Sequence, residues 1–369
     1  MSLRRTCALV SALLAGLGTL LLAGDFLMPS WLCRGGEWDG PVTDHFDGTF
    51  FYNPEPSTLY RTSNLLQWLR ERHTKGEYPT VSTLPHQPEL ASQVDGRDWE
   101  VTMVNHSTML IRTAGLNILT DPVWSDYTSP VQGFGPKRCR PVGIAWEKLP
   151  KIDICLLSHD HYDHFDADTV KRLEEEHNPL FIVPLGLGNL VKYHCGEEAN
   201  VIEADWWESV QHGNLSITLT PAKHWSNRYR KTYTRNRSLW CGFYLKSAEG
   251  PSIYYVGDSA KSNCFADIRA HLGAPDVALL PIGAYKPDWI RNGHISPAEA
   301  VEAFQHLQPR QAIACHFGTW QLANEGYQET LDDLTSALRK ADIPQWQFIA
   351  PENGQTLRGK CDAAHTERD

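Results

Sequence analysis

The stretch Ser158-His159-Asp160-His161-Tyr162-Asp163-His164 decides how this chain is read. It follows Ile154-Cys155-Leu156-Leu157, an apolar run that reads as a short buried strand. A helical pattern is expected just beyond it, over residues 166–176. In an extended or loop backbone, residues i and i+2 point to the same side, so His159 and His161 can converge on one ion. The turn into the helix swings Asp163 and His164 toward a neighbouring position. Zinc takes nitrogen and oxygen donors, and a catalytic site keeps one position open for water. A strand end carrying this many imidazoles and carboxylates therefore predicts a two-metal loop.

Two ions need more donors than one loop supplies. Three candidates lie at later strand ends: His224 after the apolar run 215–219, Asp258 in Tyr254-Tyr255-Val256-Gly257-Asp258-Ser259, and His316 in Ala312-Ile313-Ala314-Cys315-His316-Phe317-Gly318. Asp258 is suited to bridge both ions, because a carboxylate has two oxygens.

Outward from these residues, strands are expected at 101–104, 109–112, 116–119, 180–183, 215–219, 240–245, 253–256, 277–280 and 311–315, with a turn at Ala114-Gly115. Helices are expected at 297–306, where Ser296 and Glu299 have capping-box spacing, and at 327–340. Strands come first and then mix with helices, which favours an α/β sandwich. The main domain is placed at 96–355 and a polar tail at 356–369. Residues 31–95, rich in Pro, Gly and polar residues with one helical pattern over 57–73, form an extension packed on the main domain.

The chain has 369 residues, 41% of them hydrophobic, enough for a sizeable core. A net charge of -10 opposes general affinity for nucleic acid or anionic lipid. Nine scattered cysteines with no CxxC spacing make neither a disulfide framework nor a structural zinc module. Arg4 and Arg5 precede an uncharged run over residues 6–24, long enough for a signal peptide or membrane anchor. Asp25 stands where a lipoprotein cysteine would follow Leu22-Ala23-Gly24, which favours an uncleaved anchor within residues 1–30. The arginines would then stay in the cytoplasm and the catalytic domain would lie outside. The free cysteines pull the other way, toward the cytoplasmic face.

The loop, the later histidine, the strand-Gly-Asp-Ser aspartate and the final strand-end histidine resemble the metallo-β-lactamase superfamily. Further blocks resemble the N-acyl-phosphatidylethanolamine-hydrolysing phospholipases D and their bacterial relatives. These are Asn105-His106-Ser107-Thr108, Leu119-Thr120-Asp121-Pro122-Val123-Trp124, Ser129-Pro130, Gly135-Pro136-Lys137-Arg138, Pro281-Ile282-Gly283-Ala284-Tyr285 and Leu322-Ala323-Asn324-Glu325. The resemblance covers about residues 99–354 and implies a four-layer αβ/βα sandwich. It implies two zinc ions, one held by His159, His161 and His224 and the other by Asp163, His164 and His316, with Asp258 between them. Iron or manganese would suit the same donors. It further implies that Tyr162 contacts substrate and that His294, in Asn292-Gly293-His294-Ile295-Ser296, lies near the substrate phosphate, binding it or passing a proton. Asp163, Asp258 and His294 are the catalytic candidates. Asp121 matches an acidic residue near the metals and reads either as an orienter of a ligand or as a plain Asp-Pro turn.

The implied reaction is phospholipase D hydrolysis of an N-acyl-phosphatidylethanolamine, giving an N-acylethanolamine and phosphatidic acid. The implied partners are a phospholipid and a membrane surface, and a homodimer is compatible with this. Arg228, Arg230, Lys231, Arg235 and Arg237, interleaved with Tyr229 and Tyr233, read either as an anionic-headgroup contact or as a solvated loop. Two other readings stay open: a lactonase or other hydrolase on the same metal site, and a membrane-anchored binding protein without catalysis.

Overall fold

The computed structural model describes residues 34–55, 75–88, 90–228 and 234–361. The expected anchor, the whole 57–73 helical pattern and Tyr229, Arg230, Lys231 and Tyr233 lie outside these residues. Among the described residues no helix is long and apolar enough to cross a membrane.

Two seven-stranded sheets face each other. In the first, β1 (Asp98–Asn105), β2 (Thr108–Thr113) and β3 (Leu116–Thr120) form an antiparallel meander. Then β4 (Ile154–Leu156), β5 (Leu180–Pro184) and β6 (Val201–Ala204) continue it in parallel. In the second, β7 (Ser209–His212), β8 (Leu215–Thr220) and β9 (Gly242–Ser247) are antiparallel. β10 (Ser252–Tyr255) runs antiparallel to β9, and β11 (Val277–Pro281), β12 (Gln311–Cys315) and β13 (Phe348–Ile349) follow parallel to it. Parallel neighbours need crossovers, and α-helices supply all of them except the one from β3 to β4, which runs through the irregular segment 121–153. α1 (Ala167–His177) and α2 (Gly188–Cys195) accompany the first sheet; α3 (Cys264–Leu272), α4 (Pro297–Leu307) and α5 (Tyr327–Lys340) accompany the second.

The period of two explains the layering. Met109, Ile111, Ile118, Ile154, Leu156 and Ile182 point to the core shared by the two sheets. Their neighbours Leu110, Leu119, Cys155, Phe181 and Val183 point to the opposite face, against Val170, Leu173, Leu190 and Val191 of α1 and α2. A strand covered on both faces is apolar throughout, which is why 154–157 is a continuous hydrophobic run. Ala114 and Gly115 both have positive φ in the tight β2–β3 turn. The Ser296–Glu299 capping box opens α4 as its spacing predicts.

The sequence reading departs from the structure at the C-terminus and in the smaller elements. Thr356–Lys360, assigned to a polar tail, is β14 and pairs antiparallel with β1 at the edge of the first sheet. Its polarity is that of an edge strand, with one face on the domain and one in solvent. β6, β7, α2 and α3 carry too few core positions to show a period in the sequence. β9 begins at Gly242 instead of residue 240, because the Cys241 N–H bonds to Ser158 O and the Trp240 indole to Ala222 O.

The described parts of residues 34–95 strap the domain. Phe46 and Phe51 enter the core, Glu37 and Trp38 bond to Gly186 O and Arg237 O, and the Gly318 N–H donates to the Tyr78 hydroxyl.

Candidate metal centre

In both sheets the C-terminal ends of strands open on one place, where ligands of α/β sheets usually sit. β4 ends just before His159, β8 before His224, β10 before Asp258 and β12 at Cys315, before His316. Gly257 has φ +65, and a Cβ there would come within 2.8 Å of Cys241 O, so only glycine turns the chain tightly enough to present Asp258.

The seven residues expected as ligands meet. The His159, His161 and His224 rings lie 4.5 to 5.0 Å apart, with His159 Nε2 at 2.8 Å and His224 Nε2 at 3.3 Å from His161 Nδ1. Asp163 Oδ2 lies 3.5 Å from His164 Nε2 and 3.4 Å from His316 Nε2. Asp258 Oδ2 reaches both groups, at 3.1 Å from His316, 3.2 Å from His164, 3.6 Å from His224 and 4.0 Å from His159. His294 Nδ1 stands 3.5 Å from the same oxygen.

The donor set fits divalent cations. Both Asp258 oxygens, His164 Nε2 and His316 Nε2 are buried, close together and without hydrogen-bond partners. Each such group costs about 1–3 kcal/mol unless something satisfies it. Cations lying among them would do so. Burial holds His159 and His224 well below the ordinary imidazole range and takes His161 down to about 3, so each is neutral with a lone pair to offer. On His316 burial acts downward too, but Asp258 and Asp163 outweigh it and push it up to about 9. That half carries the carboxylates.

Comparison with known proteins agrees with this geometry. The model of the beta-lactamase superfamily domain matches residues 116–317. An N-acyl-phosphatidylethanolamine-hydrolyzing phospholipase D of Caenorhabditis elegans is 36% identical over 266 residues, covering 69% of this chain and 74% of its own. The chain belongs to the metallo-β-lactamase superfamily. An uncharacterized Mycobacterium tuberculosis protein is 34% identical over 303 residues, covering 79% of this chain and 78% of its own. Among solved structures, an isothiocyanate hydrolase from Delia radicum gut bacteria shares the fold, with a TM-score of 0.58 at 17% identity over 71% of this chain and 99% of that one.

In this metallo-β-lactamase-superfamily chain, neighbouring groups fix the clustered side chains. Asp121 accepts from Ser158 N–H at 2.7 Å, Ser158 Oγ–H at 2.6 Å, His164 Nδ1–H at 2.6 Å and the Tyr255 hydroxyl at 2.5 Å. A proton on His164 Nδ1 leaves Nε2 free to face the cluster, and Asp121 bonds to groups far along the chain as well as opening the Asp-Pro turn. His224 donates Nδ1–H to Gly293 O at 2.7 Å with the same effect. Gly293 is required there, since a Cβ would fall 1.7 Å from the Trp225 ring.

Tyr162 is half-buried at the rim under the Arg228 guanidinium, 4.0 Å above its ring. This corrects the reading of Arg228 as part of a solvated or headgroup-facing run. Arg228 is buried and donates to Asp160 O at 2.8 Å and Phe165 O at 3.0 Å, tying the two ends of the 160–165 loop together. Arg237 turns to Glu37 and Thr49 O.

Two contributors escaped the sequence reading. Asn53 pins the His224 backbone, donating to its carbonyl at 2.8 Å and accepting its N–H at 3.1 Å. His106 lies 3.1 Å from Asp163 Oδ2 through Nε2. Asn53 carries no local pattern, whereas His106 sits in a quoted block whose side chain was given no role.

Proposed function

We propose that this chain is a dinuclear zinc phosphodiesterase that hydrolyses N-acyl-phosphatidylethanolamine-type phospholipids by the phospholipase D reaction. The observation that carries the proposal is Asp258, whose one oxygen lies within 4.0 Å of imidazoles from both halves of the centre. Two cations held on either side of it would polarise a phosphoryl oxygen and lower the pKa of a coordinated water. His159, His161 and His224 would hold one, and Asp163, His164 and His316 the other. The substrate class is taken from the Caenorhabditis elegans relative.

The side chains divide the remaining work. Asp121 and Gly293 O keep the ligating imidazoles in one tautomer. His294, slightly exposed beside Asp258 and kept neutral by burial that lowers its pKa to about 4, would hydrogen-bond a phosphoryl oxygen of the substrate, while the leaving alkoxide takes its proton from solvent. Tyr162, braced by Arg228 and half-buried between His161 and Asp163, would contact the substrate. The N-terminal segment would hold the enzyme at the membrane where such lipids lie.

Purified protein loaded with zinc and given N-acyl-phosphatidylethanolamine in mixed micelles should release N-acylethanolamine, identified by mass spectrometry. Opening of an acyl lactone with no attack on the phospholipid would overturn the substrate assignment. Fewer than two zinc per chain after equilibration would overturn the dinuclear centre.

A further inference from the structure

We infer that His106 is a positioning residue for Asp163 and His316 in the half of the centre that they form with His164. The inference rests on the metal-binding reading above and adds a residue to it.

His106 sits in the turn between β1 and β2, with φ +43 and 1% exposure. For a non-glycine residue this left-handed backbone is strained and persists only where its surroundings enforce it. Its N–H donates to Thr319 Oγ1 at 2.9 Å, and its carbonyl accepts the His316 N–H at 2.8 Å. The backbone of one residue in the first sheet thus fixes His316 of the second.

The side chain fixes Asp163. A carboxylate can only accept, so His106 Nε2 carries the proton of its 3.1 Å bond to Asp163 Oδ2. The ring is held by His316, with centroids 4.1 Å apart, and by the edge of Trp320 at 5.3 Å. Its other nitrogen, Nδ1, is buried and has no hydrogen-bond partner. One residue thereby holds two donors from opposite sheets, and the hydrogen bond that does so is tied to Nε2 alone.

That asymmetry supplies the test. A glutamine amide nitrogen reaches roughly where Nε2 stands, whereas an asparagine amide reaches only as far as Nδ1. Full-length wild-type protein, His106→Gln and His106→Asn are equilibrated with buffered zinc, and metal per chain is measured by elemental analysis. Wild type and His106→Gln should hold two. His106→Asn should keep one tightly and bind the second about 10- to 100-fold more weakly, the range typical of lost outer partners of metal ligands. Equal behaviour of the two variants, whether both retain or both lose the metal, overturns the inference and indicates packing alone. Fewer than two metals in the wild type overturns the underlying centre instead, and the inference with it. Histidine nitrogen NMR of the wild type gives a reading that needs no variant. The His106 proton is expected on Nε2, and a proton on Nδ1 overturns the assignment.

Discussion

The loop after β4 delivers His159, His161, Asp163 and His164 within six consecutive residues, whereas the second sheet delivers His224, Asp258 and His316 from three separate strand ends. In the loop, covalent spacing already sets which donors can meet. In the second sheet, only the pairing of β8 through β12 brings the donors together. The two regions also differ in support. The loop is held by Asp121 and Arg228 from elsewhere in the chain, while His224 leans on Asn53 and Gly293 and His316 on His106. A local motif supplies donors, and distant residues aim them.

Asp258→Asn tests the joint between the regions and should have the largest effect. Activity should fall on the order of a thousandfold or more, because a neutral amide cannot balance two cations. Activity within tenfold of wild type would remove Asp258 from the centre. His159→Ala and His224→Ala remove one donor from each region but from the same half, and should lose the same single metal. Different stoichiometries in the two variants would break the grouping by half-site. Asp121→Asn should weaken zinc binding by about 10- to 100-fold while leaving the loop sequence untouched. Unchanged affinity there would show that the loop needs no outside support.

The smallest effect is expected at the strap. His45 is buried between Asp44 at 2.6 Å and Asp205 at 2.8 Å, and stacks on Trp206 with centroids 4.4 Å apart. Burial lowers its pKa, but bonds to Asp205 and Asp44 outweigh this and raise it above the ordinary value. A histidine raised on folding contributes stability that is full below its unfolded pKa and is lost as pH rises through its folded value. The melting temperature should therefore decline slightly as pH rises from about 6.5 through the raised folded value in the wild type, and less in His45→Gln. Parallel pH curves for the two proteins would exclude His45 as the source.

The legible parts of the fold were those with a strong local pattern. The strand at 311–315 and the helix at 327–340 were marked by continuous or 3.6-residue hydrophobicity, and the Ser296–Glu299 box marked the start of α4. β14 was missed because an edge strand repeats too little apolar pattern to differ from a tail. Arg228 was misread for a related reason. Charge runs are usually solvated, and nothing local says that this guanidinium folds inward over Tyr162.

The sequence by itself determined the donor types and the order in which they arrive, since HDHYDH, the strand-Gly-Asp-Ser aspartate and the two strand-end histidines are set by covalent neighbours. Only the tertiary structure decided what aims them. Asp121, Asn53, Arg228 and His106 act across tens of residues or more, through hydrogen bonds and ring contacts that exist only once the two sheets have closed on each other.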